Sequence, residues 1–148
     1  MKTIWLAFAL LIVLSSNRNV KQNKEDLSGE WITRADLSDG KHTLLYVLKF
    51  EDDNNFNWKI TSYEGTDSSF SYLYLGTFIV HKNNISFRAK EQQTWDRSNS
   101  AGWQVKKINQ SLFNSCKYKI SGINLQLDYI TYPGDGPSAT QSIYTRLR

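Results

Sequence analysis

The chain has 148 residues but only one cysteine, two histidines and two prolines, and each scarcity removes a class of answer. A lone thiol, Cys116, forms no intramolecular disulfide, so an exported protein of this sequence must hold together by packing. The ordinary role of such a cysteine is a small buried apolar side chain. His42 and His81 both adjoin turns and read as solvent-facing. They supply neither the base of a Ser-His-Asp arrangement nor, with one cysteine, a zinc spacing. Lys106 and Lys107 are the only adjacent basic pair, so no phosphate-binding track exists and nucleic acid is not expected. No Walker or dinucleotide fingerprint is present. EDDNN at 51–55 lacks the glycine and distal glutamate of a calcium loop, so neither a metal nor a cofactor is expected.

The one long apolar run is at the start. MKTIWLAFALLIVLSS places Lys2 ahead of unbroken apolar residues from Ile4 to Leu14, then turns abruptly polar. That is the layout of a secretory signal over residues 1–16, with 17–26 as a flexible tether and 27–148 as one folded domain. The run is about half of the ~20 residues that a membrane span needs. No A-x-A cleavage site is present, which leaves an uncleaved anchor as the alternative. The absence of a cysteine after the leader argues against a lipid anchor. Removing Lys2 leaves 17 basic residues against 14 acidic ones, too small an excess to specify a partner. A secreted or periplasmic monomer is the expectation.

Beyond Asp26 the hydrophobic period is two. Leu44, Tyr46, Leu48 and Phe50 alternate with other residues, as do Phe56, Trp58 and Ile60, then Phe70, Tyr72, Tyr74, Gly76, Phe78 and Val80. Ile85, Phe87 and Ala89 follow, then Cys116, Tyr118 and Ile120, then Leu125, Leu127 and Tyr129. Aromatic and β-branched residues in this pattern describe strands with one buried face. Turn chemistry separates them, including Asn83-Asn84 and Ser121-Gly122, which supply positive φ for tight hairpins. The expected strands are 28–35, 42–51, 55–63, 69–81, 84–95, 112–121, 123–132 and 139–147, with 96–111 either a ninth strand or a long loop. The fold class is therefore all-β: eight antiparallel strands in an up-and-down barrel, which leaves no exposed edge.

The first strand contains Gly29-Glu30-Trp31 and the chain ends YTRLR. A Gly-x-Trp in strand one with an Arg in the last strand resembles the lipocalin-like barrels of the calycin superfamily, above all small exported bacterial domains. The resemblance implies that Trp31 lies across the closed bottom of the barrel and that Arg146 packs over it, with Arg148 as the competing arginine. It also implies that Gly29 leaves room where the first strand crosses its neighbours. The chain departs from typical lipocalins in its short connection between the first two strands, its lack of a C-terminal helix and the missing Thr-Asp-Tyr motif.

Alternation assigns Tyr46, Trp58, Tyr72, Tyr74, Phe87, Tyr118 and Tyr129 to the interior as candidate ligand-binding residues. Such a lining suits a small apolar or amphipathic ligand, held without catalysis. An eight-stranded barrel is also just wide enough to be filled by its own side chains. In that case the protein acts through its surface, as an inhibitor, a protein-interaction module or an envelope-associated module. Trp95 and Trp103, flanking the polar DRSNSAG stretch, form either a satellite core under that loop or a contact patch.

Overall fold

The structure is a computed structural model and describes residues 24–132 and 136–147. The leader, most of the tether, Pro133 and Arg148 lie outside the described residues. Nine strands follow a short 3-10 turn at Lys24–Leu27: β1 (Gly29–Asp36), β2 (His42–Phe50), β3 (Asn55–Glu64), β4 (Asp67–His81), β5 (Asn84–Asp96), β6 (Gln104–Leu112), β7 (Asn114–Ser121), β8 (Asn124–Thr131) and β9 (Ser138–Arg146). All pairings are antiparallel. Eight of the strands close a ring in the order β1-β2-β3-β4-β5-β7-β8-β9, and β6 pairs with β5 outside it. The up-and-down barrel read from the period-two pattern is the fold. The uncertain stretch 96–111 resolves into a loop and the ninth strand.

Hairpins fix most of the ring. Two seams complete it, and both are short. β1 meets β9 only at Trp31↔Arg146 and Ile32↔Thr145, extended by the Leu147 N–H donating to the Glu30 carbonyl at 2.9 Å. β5 meets β7 only at Asn84↔Lys117, extended by the Tyr118 N–H donating to the Asn83 carbonyl at 2.9 Å. Both seams lie toward the same end, where Trp31 sits; we call the opposite end the far end.

β6 and β7 are continuous in sequence and run in the same direction along β5, yet only β7 joins the ring. The parting falls at Phe113 and Ser115, both with φ of 52°. Left-handed backbone costs a non-glycine residue roughly 1–2 kcal/mol, and a bulky side chain there is a clear outlier. Leu112 still faces Phe87, and Lys117 faces Asn84, so Ile85 and Ser86 have no ladder partners on that side. The same segment bulges against β8 between Asn114 and Lys117.

Alternation then builds the core. Trp31, Leu48, Phe50, Phe56, Phe78, Ile85, Phe87, Leu125, Leu127 and Tyr144 are each no more than 2 % exposed. Gly76 and Gly29 show the two different uses of a missing Cβ. The hydrophobic row that reaches Gly76 crosses a bulge against β5, and a Cβ at Gly76 would lie 2.1 Å from the Arg88 carbonyl oxygen and 2.8 Å from Ala89 Cα. Close approach is therefore the role of Gly76 and not of Gly29. At Gly29 a Cβ would meet nothing within 4 Å, and glycine is favoured there by a φ of +105°. Likewise the positive φ at the β4–β5 turn falls on Lys82, not on the Asn83-Asn84 pair.

Replacing Gly76 with Ala forces backbone apart inside the longest hairpin. Overpacking of a tight interior costs about 1–3 kcal/mol or more. Gly76→Ala is expected to lower the denaturation midpoint by at least that equivalent in urea titration; an unchanged midpoint would contradict the close approach.

Candidate functional site

At the seam end, Trp31 is fully buried and its Nε1 donates to the Leu27 carbonyl at 2.8 Å. The Arg146 guanidinium lies over the indole, 4.4 Å from its centroid, and Nη2 donates to the Asp26 carbonyl. Stacking on an aromatic face suits a planar, weakly hydrated cation, and its edge remains free to bond carbonyls. The carbonyls it and Trp31 satisfy belong to the 3-10 turn, which has no continuing helix to bond them. Trp31, Arg146 and the turn thus form one cap, and part of the segment read as tether, Lys24 to Asp26, belongs to it. Leu27, at the end of the turn, is wholly buried beneath it.

From this cap a column of rings runs up the interior. Phe78 meets Phe50 edge-on at 4.9 Å, and Phe50 meets Phe87 at 5.9 Å. Phe87 meets Phe56 and Phe113, each at 5.1 Å. Phe113 touches Trp58 at 4.6 Å and Tyr129 at 4.9 Å. Trp58 finally lies between Tyr74 and Tyr46, nearly parallel to both, with centroids at 5.6 and 6.4 Å. The rings below Phe113 are sealed, whereas Trp58, Tyr46, Tyr74 and Tyr129 are only partly buried. The seam half is filled, and aromatic surface meets solvent toward the far end.

Polar groups at this end are few. Burial raises the hydroxyl pKa of Tyr46, with a smaller push from Tyr129, and burial likewise raises that of Tyr74, with a smaller push from Tyr72. These hydroxyls stay neutral at ordinary pH and can donate or accept. Tyr129 Oη is already 3.0 Å from Ser142 Oγ. Trp58 Nε1 is buried without a hydrogen-bond partner of proper geometry, although the indole eases the Tyr144 hydroxyl slightly against the burial that drives its pKa upward.

The structure thus gathers Tyr46, Trp58, Tyr74 and Tyr129 into one half-buried cluster. Tyr72, one inward row farther out, meets Phe70 edge-on at 5.4 Å and does not join it. Phe87 is 2 % exposed and walled in by Phe50, Phe56 and Phe113. Tyr118 is 3 % exposed, and burial, followed by the nearby Asp26, raises its pKa, which places it on the capped side. The reading by alternation missed Phe113, the hub of the column. Its odd position between Leu112 and the even-numbered run from Cys116 points outward in a regular strand; the left-handed φ turns it inward.

Outside the barrel, Trp103 is 44 % exposed, with Lys59 Nζ 6.0 Å from its ring centroid, and Trp95 is half-buried. Arg97 ties the intervening loop to the β3–β4 hairpin through Glu64 and Asp67, each at 3.4 Å. His42 Nδ1 lies 2.6 Å from Asp39. The Asp39 carboxyl is drawn down to about 2 by the backbone N–H groups of His42 and Lys41, then by that ring. Cys116 is buried, and desolvation pushes its thiol up to about 12, so it stays protonated and unreactive. Among the described residues, no cluster of three or more His, Cys, Asp or Glu is placed to hold a metal. Nor is any helix among them long and apolar enough to cross a membrane. No protein-family model, curated protein or solved structure matches the chain.

The cap generates a direct expectation. Trp31→Ala empties a large buried site and frees Arg146 from its platform, a change expected to cost ~3–5 kcal/mol. Chemical denaturation would show it as a large drop in midpoint, and an unchanged midpoint would remove Trp31 from its role.

Proposed function

We propose that this chain is an exported, non-enzymatic, lipocalin-like barrel of the calycin type that holds a small hydrophobic or amphipathic ligand at its far end. One observation carries the reading: the near-parallel stack of Tyr46, Trp58 and Tyr74, partly open to solvent above a sealed column of rings. Aromatic faces of this kind take flat apolar groups, and burial contributes about 25 cal/mol per Å² before ordering costs. Neutral tyrosine hydroxyls supply orientation for one polar group on the ligand. The leader at 1–16 supports delivery to the cell envelope or beyond, and the pairing of Gly29-x-Trp31 with Arg146 supports the calycin kinship.

A second reading is favoured by a different observation. The seam half is packed solid, while Trp103 and Val105 are 44 % and 59 % exposed on the outside. A filled barrel of this kind works through its surface, on a protein or an envelope polymer.

Native mass spectrometry of protein purified from its own host, before and after solvent extraction, separates the two. The ligand reading expects a discrete extra mass lost on extraction, and titration of the stripped protein with that compound should quench Trp58. Tyr74→Ala should weaken the titration by about tenfold, the scale of one lost aromatic contact. A bare mass, no quenching by fatty acids or flat aromatics, and partner binding abolished by Trp103→Ala would establish the surface reading instead.

A further inference from the structure

We propose that Phe113 is a removable plug: its ring occupies, in this state, the place of a phenyl-sized group of the ligand. The inference rests on the far-end binding site just described and names the chemical class that the site takes. Three independent features meet at this residue. Its ring is the hub of the column, lying between Trp58, Phe87 and Tyr129 at 4.6–5.1 Å, distances at which a free aromatic compound would sit. Its backbone is held at φ 52°, as is that of Ser115, in a region that a phenylalanine strongly disfavours. And the segment 113–116 has no ladder pairs with β5, since Ile85 and Ser86 stand unpaired opposite it.

Room to move lies alongside. An open cleft of about 380 Å³ follows the fork, lined by Asn84 to Phe87 on one side and Ser111 to Lys117 on the other. Released from left-handed φ, residue 113 returns to the extended conformation that the alternation of β7 prescribes, with its side chain directed out of the barrel. The ring then leaves a hole faced by one indole and two further aromatic edges. A single six-membered aromatic ring fits that hole; a fused ring system or a saturated chain does not reproduce the contacts. Ligand binding and strain relief act in the same direction, so a modest ligand shifts the equilibrium.

Phenol is the probe, and two measurements decide. In wild-type protein labelled with 4-fluorophenylalanine, with the Phe113 signal assigned through Phe113→Leu, ¹⁹F spectra are recorded as phenol is added. The Phe113 resonance should move saturably to the position of an exposed ring while those of Phe50, Phe56 and Phe78 stay in place. Calorimetry on Phe113→Gly, which lacks the competing ring and tolerates the backbone conformation, should show phenol binding about tenfold or more tighter than in wild type. Quenching of Trp58 with the Phe113 signal unmoved would overturn the plug and leave the far-end site standing. Binding by Phe113→Gly and none by wild type would mean a fixed plug, overturning the inference. Absence of binding in both proteins would overturn the inference, while the far-end site stands or falls by the extracted mass in native spectrometry.

Discussion

The rest of the structure depends on the stack of Arg146 on Trp31. A meander of hairpins is held along most of its length by neighbours in sequence, but a ring must also join its first strand to its last. Here that junction is two residue pairs, one of them Trp31↔Arg146 itself. The seam is too short to be secured by its ladder alone. Side chains reinforce it: the guanidinium covers the indole, and both donate to carbonyls of the Lys24–Leu27 turn. The indole is apolar on its faces and polar at one edge, so a single residue caps the core and anchors the chain that enters it. The cost is visible in Arg146 Nε, which is buried without a partner.

Closure at one end leaves the other free to differ. Both seams lie toward Trp31, so the far end is organised by hairpins alone, and β6 departs there from the ring altogether. Packing follows the same gradient. Phe50, Phe56, Phe78 and Phe87 fill the seam half with Tyr118 and Tyr144 buried beside them, whereas Tyr46, Tyr74, Tyr129 and Trp58, each with a polar edge, stand where solvent reaches. Hydrophobic burial thus stabilises one half, and the other half retains aromatic surface within reach of solvent.

The barrel was legible in the sequence because period-two alternation is enforced by burial of one face, and six of the ring's strands display it openly. The Trp31–Arg146 pairing was legible only through a family resemblance, since no local pattern links residues so far apart in the chain. What escaped the reading has a common cause. Phe113 and the close-approach role of Gly76 both belong to places where the ladder is irregular, at the bulge of β7 against β8 and opposite the extra residue of β5. Alternation carries no information across a bulge. The positive φ of Phe113 bore no sequence mark either, for nothing in SLFNSC suggests a turn-forming glycine, and so the hub of the aromatic column looked like an outward residue.

The claim that the seam end holds the barrel shut is tested most directly by native-state hydrogen exchange. The Tyr118 and Leu147 N–H groups donate across the two seams, whereas β6 is paired on one side only. The account predicts that the Tyr118 and Leu147 amides exchange only through global unfolding, with β6 exchanging earlier through local detachment. Exchange of the seam amides at or before β6, with the remaining strands still protected, would mean that the ring opens at Trp31 and would contradict the account.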